Sequence, residues 1–421
     1  MKYPNSIDYD SVVGEYRKTV LDSGLRVVTE SMHGVQSLAI GVWVLTGSRF
    51  EDLSQNGISH LLEHMVFKGT HSRSAYDIAV SLEALGGHLN AFTGREHTCY
   101  YAIVLKDNLA EAVDVLADLV QNARLDKSDL AKEKRVVLEE IHNLDDMPED
   151  LVHDIWMQTV FGEDALGWPI LGTQESIAHI RKEQVQSYYQ THYTASNIIV
   201  AAAGALDHNE LVERVGNAFA SLPKGATKPV PQANAPREKA DKQIHSATNQ
   251  LHLCTGTTVY SYLDKRKFPL FVLNAYLGSG MSSRLFQELR EARGLAYAVF
   301  SSLDFWIDIG VFSVYVGTGP ENQQAVTQVL EDELQRLIRE PIPINDIKRV
   351  QSQLSRSIIL SLEDHSNRMN RLAKMEAYTE TYMPIVEVVR LIEEVDQSQI
   401  LTVSKDIFEN QVQISTSIQP E

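Results

Sequence analysis

Cysteine is scarce in this sequence, where Cys99 and Cys254 are the two that occur among 421 residues. Two cysteines cannot build the disulfide framework of a small secreted domain, so we expect no disulfides and a reducing compartment. Long apolar runs are missing as well, because the longest uncharged apolar-rich stretch, residues 35–48, is too short to span a bilayer. The sequence therefore predicts a protein without a membrane-spanning segment.

Basic residues are also in short supply. The chain has 38 lysines and arginines against 56 aspartates and glutamates, with a formal net charge of −18. We expect no nucleic-acid partner, since phosphate binding needs a basic face. Residues 1–14 carry two aspartates and no apolar core, so neither a secretory signal nor a mitochondrial presequence is expected there. Together these features favour a cytoplasmic location and a bacterial source.

The length suits two domains of roughly 200 residues each. A stretch with four prolines among lysines and small polar residues interrupts the chain and reads as a solvated linker. We therefore predict a first domain over residues 1–222, a linker over 223–242 and a second domain over 243–421. Strand-like runs, such as residues 37–45 and 197–203, alternate with long helical stretches, which predicts an α+β sheet covered by helices in each half.

The most informative motif is His60-Leu61-Leu62-Glu63-His64. Glycine and serine lead into an apolar-rich helical pattern around it, and a Lys-Gly-Thr sequence then indicates the end of the helix. Two imidazoles four positions apart on a helix lie on one face, so both can bind one metal ion. The glutamate between them can hold a water beside that metal, and this H-x-x-E-H order is the inverzincin motif. The alternative is a helix with two unrelated histidines.

A third metal ligand is expected on another rigid element, because a catalytic zinc site uses three protein groups. The helical stretch 130–143 offers Glu133, Glu139 and Glu140. Glu133 and Glu140 are seven residues apart and share a helix face, whereas Glu139 points about 100° away. Spacing alone does not choose between Glu139 and Glu140.

These residues resemble the pitrilysin, insulin-degrading enzyme and mitochondrial processing peptidase family of inverzincin zinc peptidases. In that family the third ligand is a glutamate 76 positions after the second histidine, which is Glu140 here. A supporting glutamate seven positions earlier is matched by Glu133. The resemblance implies one zinc ion per chain held by His60, His64 and Glu140, with Glu63 as the general base.

A long stretch in the second half, residues 278–300, also resembles the family's C-terminal signature. Within it the family places an arginine and a tyrosine that face the zinc site, and Arg290 and Tyr297 match them. A phenol can donate a hydrogen bond to a developing oxyanion, and a guanidinium can orient substrate carbonyls or the tyrosine. The alternative is a helix-capping arginine and an ordinary strand tyrosine.

The two halves repeat each other. A shift of 208 residues aligns residues 84–92 with residues 292–300, and each stretch leaves a helix at a glycine and enters an apolar run. Under the same shift the metal motif falls on Phe268, Phe271 and Val272. The second copy therefore retains the scaffold and lacks the metal ligands. The resemblance implies two homologous domains, each a mostly antiparallel sheet covered by helices, arranged as a clamshell.

Substrate and assembly follow from the same resemblance. Residues 88–92 resemble the family's edge strand beside the zinc, to which an extended peptide adds as a further strand, with Asn90, Ala91 and Phe92 as its binding residues. A chain with two halves resembles the branch in which two chains assemble around a closed chamber. A homodimeric zinc endopeptidase is the first expectation. A catalytic subunit of a heterodimer and a non-catalytic scaffold, as in respiratory-complex core proteins, are the alternatives.

Overall fold

The structure is a computed structural model that describes residues 13–234 and 238–421. Most of the N-terminal segment 1–14 and part of the predicted linker lie outside the described residues. The strands are β1 (Glu15–Val20), β2 (Arg26–Ser31), β3 (Ser37–Val44), β4 (His88–Thr93), β5 (Thr98–Leu105), β6 (Ile198–Gly204), β7 (Ala240–Ser246), β8 (Leu251–Val259), β9 (Ala296–Phe305), β10 (Gly310–Thr318) and β11 (Ile414–Pro420). The helices are α1 (Ile58–Val66), α2 (Ala75–Glu83), α3 (Leu109–Asn122), α4 (Lys127–Asp145), α5 (Pro148–Phe161), α6 (Gln174–His179), α7 (Lys182–His192), α8 (His208–Ala218), α9 (Lys267–Gly278), α10 (Gln323–Arg339), α11 (Ile344–Ser361), α12 (His365–Thr379), α13 (Ile385–Glu393) and α14 (Gln397–Phe408).

Two sheets organise these elements, which confirms the predicted α+β class. The first has the strand order β1-β2-β6-β3-β5-β4 and the second the order β7-β11-β8-β10-β9. Each sheet is antiparallel except for one parallel pair, β2 with β6 and β7 with β11. The five neighbouring strands β2-β6-β3-β5-β4 of the first sheet have the same connectivity as β7-β11-β8-β10-β9 in the second. The parallel pair is at the same position in both. The topology therefore has the repeat that the sequence predicts.

The chain divides into two compact units, each formed by three segments. Unit 1 takes in the chain up to Ile141, Ile170–Pro231 and Ile359–Val386. Its main core lies between the first sheet and the apolar faces of α1, α3, α7 and α8. The opposite face of the same sheet is covered by α12, which packs on β2, β3 and β6. A buried ion pair of 2.6 Å between Arg368 on α12 and Glu30 on β2 fixes this helix to the sheet.

Unit 2 takes in His142–Pro169, Gln232–Ile358 and Glu387–Glu421. Its sheet is covered on one face by α5, whose Trp156 donates a hydrogen bond of 3.0 Å to the carbonyl of Ile414 on β11. The compact units therefore differ from the cut in chain order predicted at residues 223–242. An early helix, α5, belongs to unit 2 and a late helix, α12, belongs to unit 1, because each covers an apolar sheet face there. None of the helices within residues 13–234 and 238–421 combines the length and apolarity needed to cross a membrane.

Candidate metal centre

The metal motif lies on α1 in unit 1, and the start of this helix is held by a buried carboxylate. Glu51 accepts hydrogen bonds from the backbone N–H groups of Gly57 at 2.7 Å and Ser59 at 2.8 Å. These are donors that the first turn of a helix leaves without partners. Gly57 has φ of 91°, and a Cβ there would lie 2.6 Å from the carbonyl oxygen of Leu171, so only glycine fits. The position of α1 is therefore fixed by backbone contacts as well as by its core face.

Substituting Glu51 with glutamine should change how stability depends on pH. Burial raises the pKa of Glu51 from its ordinary 4.5 to about 7. Because the folded-state pKa is raised, the Glu51 carboxyl makes its full contribution to the free energy of unfolding below pH 4.5, where it is protonated in both states. This contribution is lost as the pH rises through 7 and the buried group ionises. Over this pH window the wild type should lose about 3 kcal/mol of unfolding free energy relative to Glu51→Gln. Chemical denaturation from pH 4.5 to 8 measures it, and a constant difference would contradict the prediction.

His60, His64 and Glu140 form a three-residue group that could hold a metal ion. One ligand atom from each residue lies within 4.8 Å of the other two. Nε2 of His60 is 3.7 Å from Oε2 of Glu140, and Nε2 of His64 is 3.6 Å from Oε1 of the same carboxylate. Both separations exceed normal hydrogen-bond lengths. Glu139, the neighbouring candidate, has an exposed side chain. The structure thus brings Glu140 to the histidines and leaves Glu139 on the surface.

This geometry fits zinc. Two ligands of a tetrahedral zinc ion, each about 2.0–2.1 Å from the metal, lie about 3.4 Å apart, close to the two separations above. The donor set of two imidazole nitrogens and one carboxylate oxygen is one that catalytic zinc uses. Burial, together with the charge of His64, lowers the pKa of His60 from 6.5 to about 4, so His60 is neutral near pH 7 and its lone pair is available. The residues present therefore fit a zinc ion.

Glu133 contacts one histidine of this group from the side away from Glu140. One of its oxygens, Oε2, lies 3.3 Å from Nδ1 of His64, which leaves the Nε2 of that ring directed at Glu140. The other, Oε1, forms an ion pair of 3.0 Å with Lys68. A carboxylate that accepts a hydrogen bond from the second nitrogen of a ligating histidine fixes the ring orientation and tautomer. Glu133 is buried, as this contact requires.

Glu63 lies on α1 between the two histidines and is half-buried. The hydroxyl of Thr93, at the end of β4, donates a hydrogen bond to its Oε2. Burial raises the pKa of the Glu63 carboxyl, and the hydrogen bond from Thr93 acts in the opposite direction. A carboxyl group with a raised pKa is better able to accept a proton during a reaction.

The predicted substrate residues lie on β4, which is an edge strand of the first sheet. Asn90 pairs with Tyr101 on β5, and its side-chain oxygen accepts a hydrogen bond of 2.9 Å from the backbone N–H of Ala91. Phe92 packs edge-on against Trp43, with ring centroids 5.4 Å apart. The strand contacts α1, so an open strand edge and the metal group belong to the same unit.

Arg290 and Tyr297 lie in unit 2, where they contact each other. Arg290 is in a short π-helical segment, Phe286–Glu291, and its Nη1 donates a hydrogen bond of 2.8 Å to the backbone carbonyl of Tyr297 on β9. The Tyr297 side chain is 40% exposed. A Cβ at Gly317 would lie 2.4 Å from the Tyr297 ring, so the glycine makes room for it.

Three residues that contact α1 or Glu133 are not predicted from the sequence to do so: Glu51, Lys68 and Thr93. A signal exists for two of them. Lys68 lies four residues after His64 in the turn that ends α1, and Thr93 is two residues after Ala91 on β4, so its side chain has the same orientation. Glu51 has no comparable signal, because it meets α1 through an irregular connection.

Comparison with known proteins identifies the family. Residues 26–174 match the insulinase model of peptidase family M16, and residues 179–354 match the model described as the peptidase M16 inactive domain. An uncharacterized zinc protease of Streptomyces coelicolor is 39% identical over 94% of this chain and 88% of its own. The uncharacterized zinc protease YmxG of Bacillus subtilis is 37% identical over 93% and 95%. The chain belongs to peptidase family M16, which confirms the resemblance drawn from the motifs.

Solved structures share the fold. A protease from Helicobacter pylori superposes with a TM-score of 0.91 at 22% identity, covering 97% of this chain and all of the other. A Pseudomonas fluorescens protein described as a peptidase M16 inactive domain gives a TM-score of 0.90 at 19% identity over 96% and 98%. Similarity at these identities concerns the fold alone.

Proposed function

We propose that this chain is a zinc-dependent endopeptidase that cleaves peptides bound in extended conformation. The observation that carries the proposal is the His60, His64 and Glu140 group, with Glu63 beside it on the same helix. The names of the bacterial relatives as zinc proteases, and the family match, support the same activity.

His60, His64 and Glu140 would hold one zinc ion, which when bound supplies Lewis-acid polarisation and activates a water. Glu63 accepts the proton of the attacking water and returns it to the departing amine. Because Thr93 donates to Oε2, we assign the proton to Oε1. Glu133 orients His64 through Nδ1, and Lys68 holds the far oxygen of Glu133.

The edge of β4 is the proposed substrate site. An extended peptide can pair with the backbone groups on the open side of this strand, which gives affinity with little sequence preference. Asn90, Ala91 and Phe92 lie on it, and its contact with α1 would bring a paired peptide beside Glu63. The proposed substrates are therefore unfolded or extended polypeptides.

Metal removal tests the proposal. The purified protein should cleave an unfolded polypeptide such as reduced casein, lose this activity with a zinc chelator, and regain it when one equivalent of zinc is added back. The matched control is a chelator analogue that does not bind metal. Cleavage that continues in the metal-free protein, or a zinc-loaded protein that cleaves nothing, would contradict the proposal. A stable partner complex without cleavage would favour the scaffold alternative.

Tyr297 on β9 is the proposed oxyanion donor. We propose that its hydroxyl donates a hydrogen bond to the substrate oxygen that gains negative charge. The Tyr297→Phe variant should then lower kcat/KM by about 30-fold or more, as the loss of one oxyanion donor does in other enzymes. Zinc content should stay at the wild-type value, because Tyr297 is not one of the proposed ligands. The Tyr297 hydroxyl also hydrogen-bonds to the buried Tyr315, so a small fall in melting temperature of Tyr297→Phe is expected and does not explain a loss of about 30-fold in the folded enzyme. Wild-type turnover in Tyr297→Phe would assign the chemistry to unit 1 alone.

Assembly and location also belong to the proposal. A homodimer remains the first expectation from the number of halves in the chain, and a cytoplasmic location remains the expectation from its composition. Sedimentation of the purified chain over a two-fold dilution series measures its oligomeric state.

A further inference from the structure

Alternate side chains of the strand β4 point toward α1. Leu89 and Ala91 pack against the core that contains α1, whereas Phe92 packs against Trp43 in the cluster on the opposite face. Side chains alternate along a strand, so Thr93 has the same orientation as Leu89 and Ala91. Its hydroxyl therefore points toward the helix that carries the metal motif.

Thr93 contacts one functional side chain there. Its Oγ1 donates a hydrogen bond to Oε2 of Glu63, thirty residues earlier in the chain. A glutamate on a helix has several rotamers, and one bond to a fixed donor selects among them. Hydrogen bonds to an ionised carboxylate are also stronger than those between neutral groups.

The donor is itself fixed. Thr93 pairs with Thr98 in the antiparallel ladder between β4 and β5, where the two strands close. Its β-branched side chain has few χ1 rotamers, so the backbone largely determines where the hydroxyl points. The Thr98 hydroxyl has a different acceptor, the backbone carbonyl of Thr46 at 3.1 Å. The two threonines of this rung thus offer a matched pair, of which one contacts Glu63.

We propose that Thr93 is a positioning residue that holds the Glu63 carboxylate in the orientation needed for proton transfer. This rests on the proposed function, in which Glu63 is the general base and β4 binds the substrate strand. The same six-residue strand then carries the substrate edge and the donor that aligns the base. Substrate and base are therefore located by one rigid element, with the free oxygen of Glu63 directed to the reaction.

Three variants of the full chain, loaded with zinc, test the proposal. Thr93→Val keeps the shape and removes the hydroxyl, Thr93→Ser restores it, and Thr98→Val removes the hydroxyl of the paired threonine. With a fluorogenic peptide, Thr93→Val should lower kcat by about 10- to 100-fold, the range expected when a catalytic group is misplaced by an ångström or less. KM should change by less than about twofold. Thr93→Ser should recover most of kcat, and Thr98→Val should retain it.

Two further measurements do not use activity. The zinc dissociation constant of Thr93→Val, from chelator competition, should equal that of the wild type, because the Thr93 hydroxyl donates to Glu63, which is not one of the three proposed ligands. The melting-temperature shift caused by Thr93→Val should be smaller in a Glu63→Ala background than in the wild type, since the contact is then already lost. Equal shifts in the two backgrounds would show that Thr93 acts through packing alone.

The outcomes separate the two proposals. Wild-type kcat in Thr93→Val, or equal losses in Thr93→Ser and Thr93→Val, would overturn the positioning role while an active wild type leaves the peptidase assignment intact. A zinc-loaded wild type that cleaves no peptide would overturn the peptidase assignment and the positioning role together.

Discussion

Replacing Glu63 with glutamine is expected to abolish peptide cleavage while the protein still binds one zinc ion per chain. The substitution removes the only proposed proton acceptor on α1 and leaves His60, His64 and Glu140 unchanged. General-base catalysis contributes about 10²- to 10⁴-fold to such reactions, so kcat should fall by at least about 100-fold. Peptide cleavage and metal content, measured on the same preparation, check both parts.

The glutamine variant is a close control for shape. Glutamine has the length of glutamate, and its side-chain oxygen can still accept the hydrogen bond from Thr93. Folding and metal binding should therefore be conserved, with an unchanged melting temperature. Loss of zinc in Glu63→Gln would indicate that the carboxylate takes part in binding the metal. Full activity in this variant would remove Glu63 from the mechanism.

Elements with a strong local pattern were predictable from the sequence. The predicted strand 37–45 is one residue longer than β3 at its C-terminal end, and the predicted strand 197–203 is displaced by one residue from β6. Helix α1 begins after Gly57 and ends before Lys68, as its start and stop residues indicate. The predicted helix 130–143 lies inside α4, which is longer at both ends. In each case the signal lies within a few residues of the element.

Contacts between distant segments were not predictable in this way. Residues 359–386 follow most of the second half in sequence, yet α12 packs on the first sheet through Met369, Leu372 and the Arg368–Glu30 ion pair. An amphipathic helix shows that it must cover an apolar face, but its sequence does not show which sheet provides that face. The same limit applies to α5, whose Trp156 contacts β11 some 258 residues away.

In the candidate site, too, residues on one helix were predictable and contacts between separate elements were not. The pair His60 and His64 was predictable because both are on one helix, whereas Glu140 needed a family spacing to separate it from Glu139. The structure supplies what spacing could not, because the rotation of α4 directs Glu133 and Glu140 to α1 and leaves Glu139 exposed. Thr93 and Glu51 come from other elements, so their contacts depend on how the chain folds back to α1.

The rotation of α4 leads to the second large expected effect, on zinc binding. Glu140→Gln should raise the zinc dissociation constant by more than about 100-fold, beyond the 10- to 100-fold that the loss of an outer residue causes. The neutral amide loses the charge that the carboxylate would bring to the metal. Glu139→Gln is the matched control on the same helix, and it should change the constant by about twofold or less, because exposed substitutions have small effects.

Glu133→Gln should fall between these two variants. The amide keeps the size of the side chain but weakens the contact with Nδ1 of His64 and the ion pair with Lys68, so the zinc dissociation constant should rise by about 10- to 100-fold. Competition with a chromophoric chelator at fixed pH ranks all three variants in one experiment. Equal losses of affinity in Glu139→Gln and Glu140→Gln would mean that α4 is rotated from the position described here. If Glu133→Gln bound zinc more weakly than Glu140→Gln, Glu133 rather than Glu140 would be the third ligand.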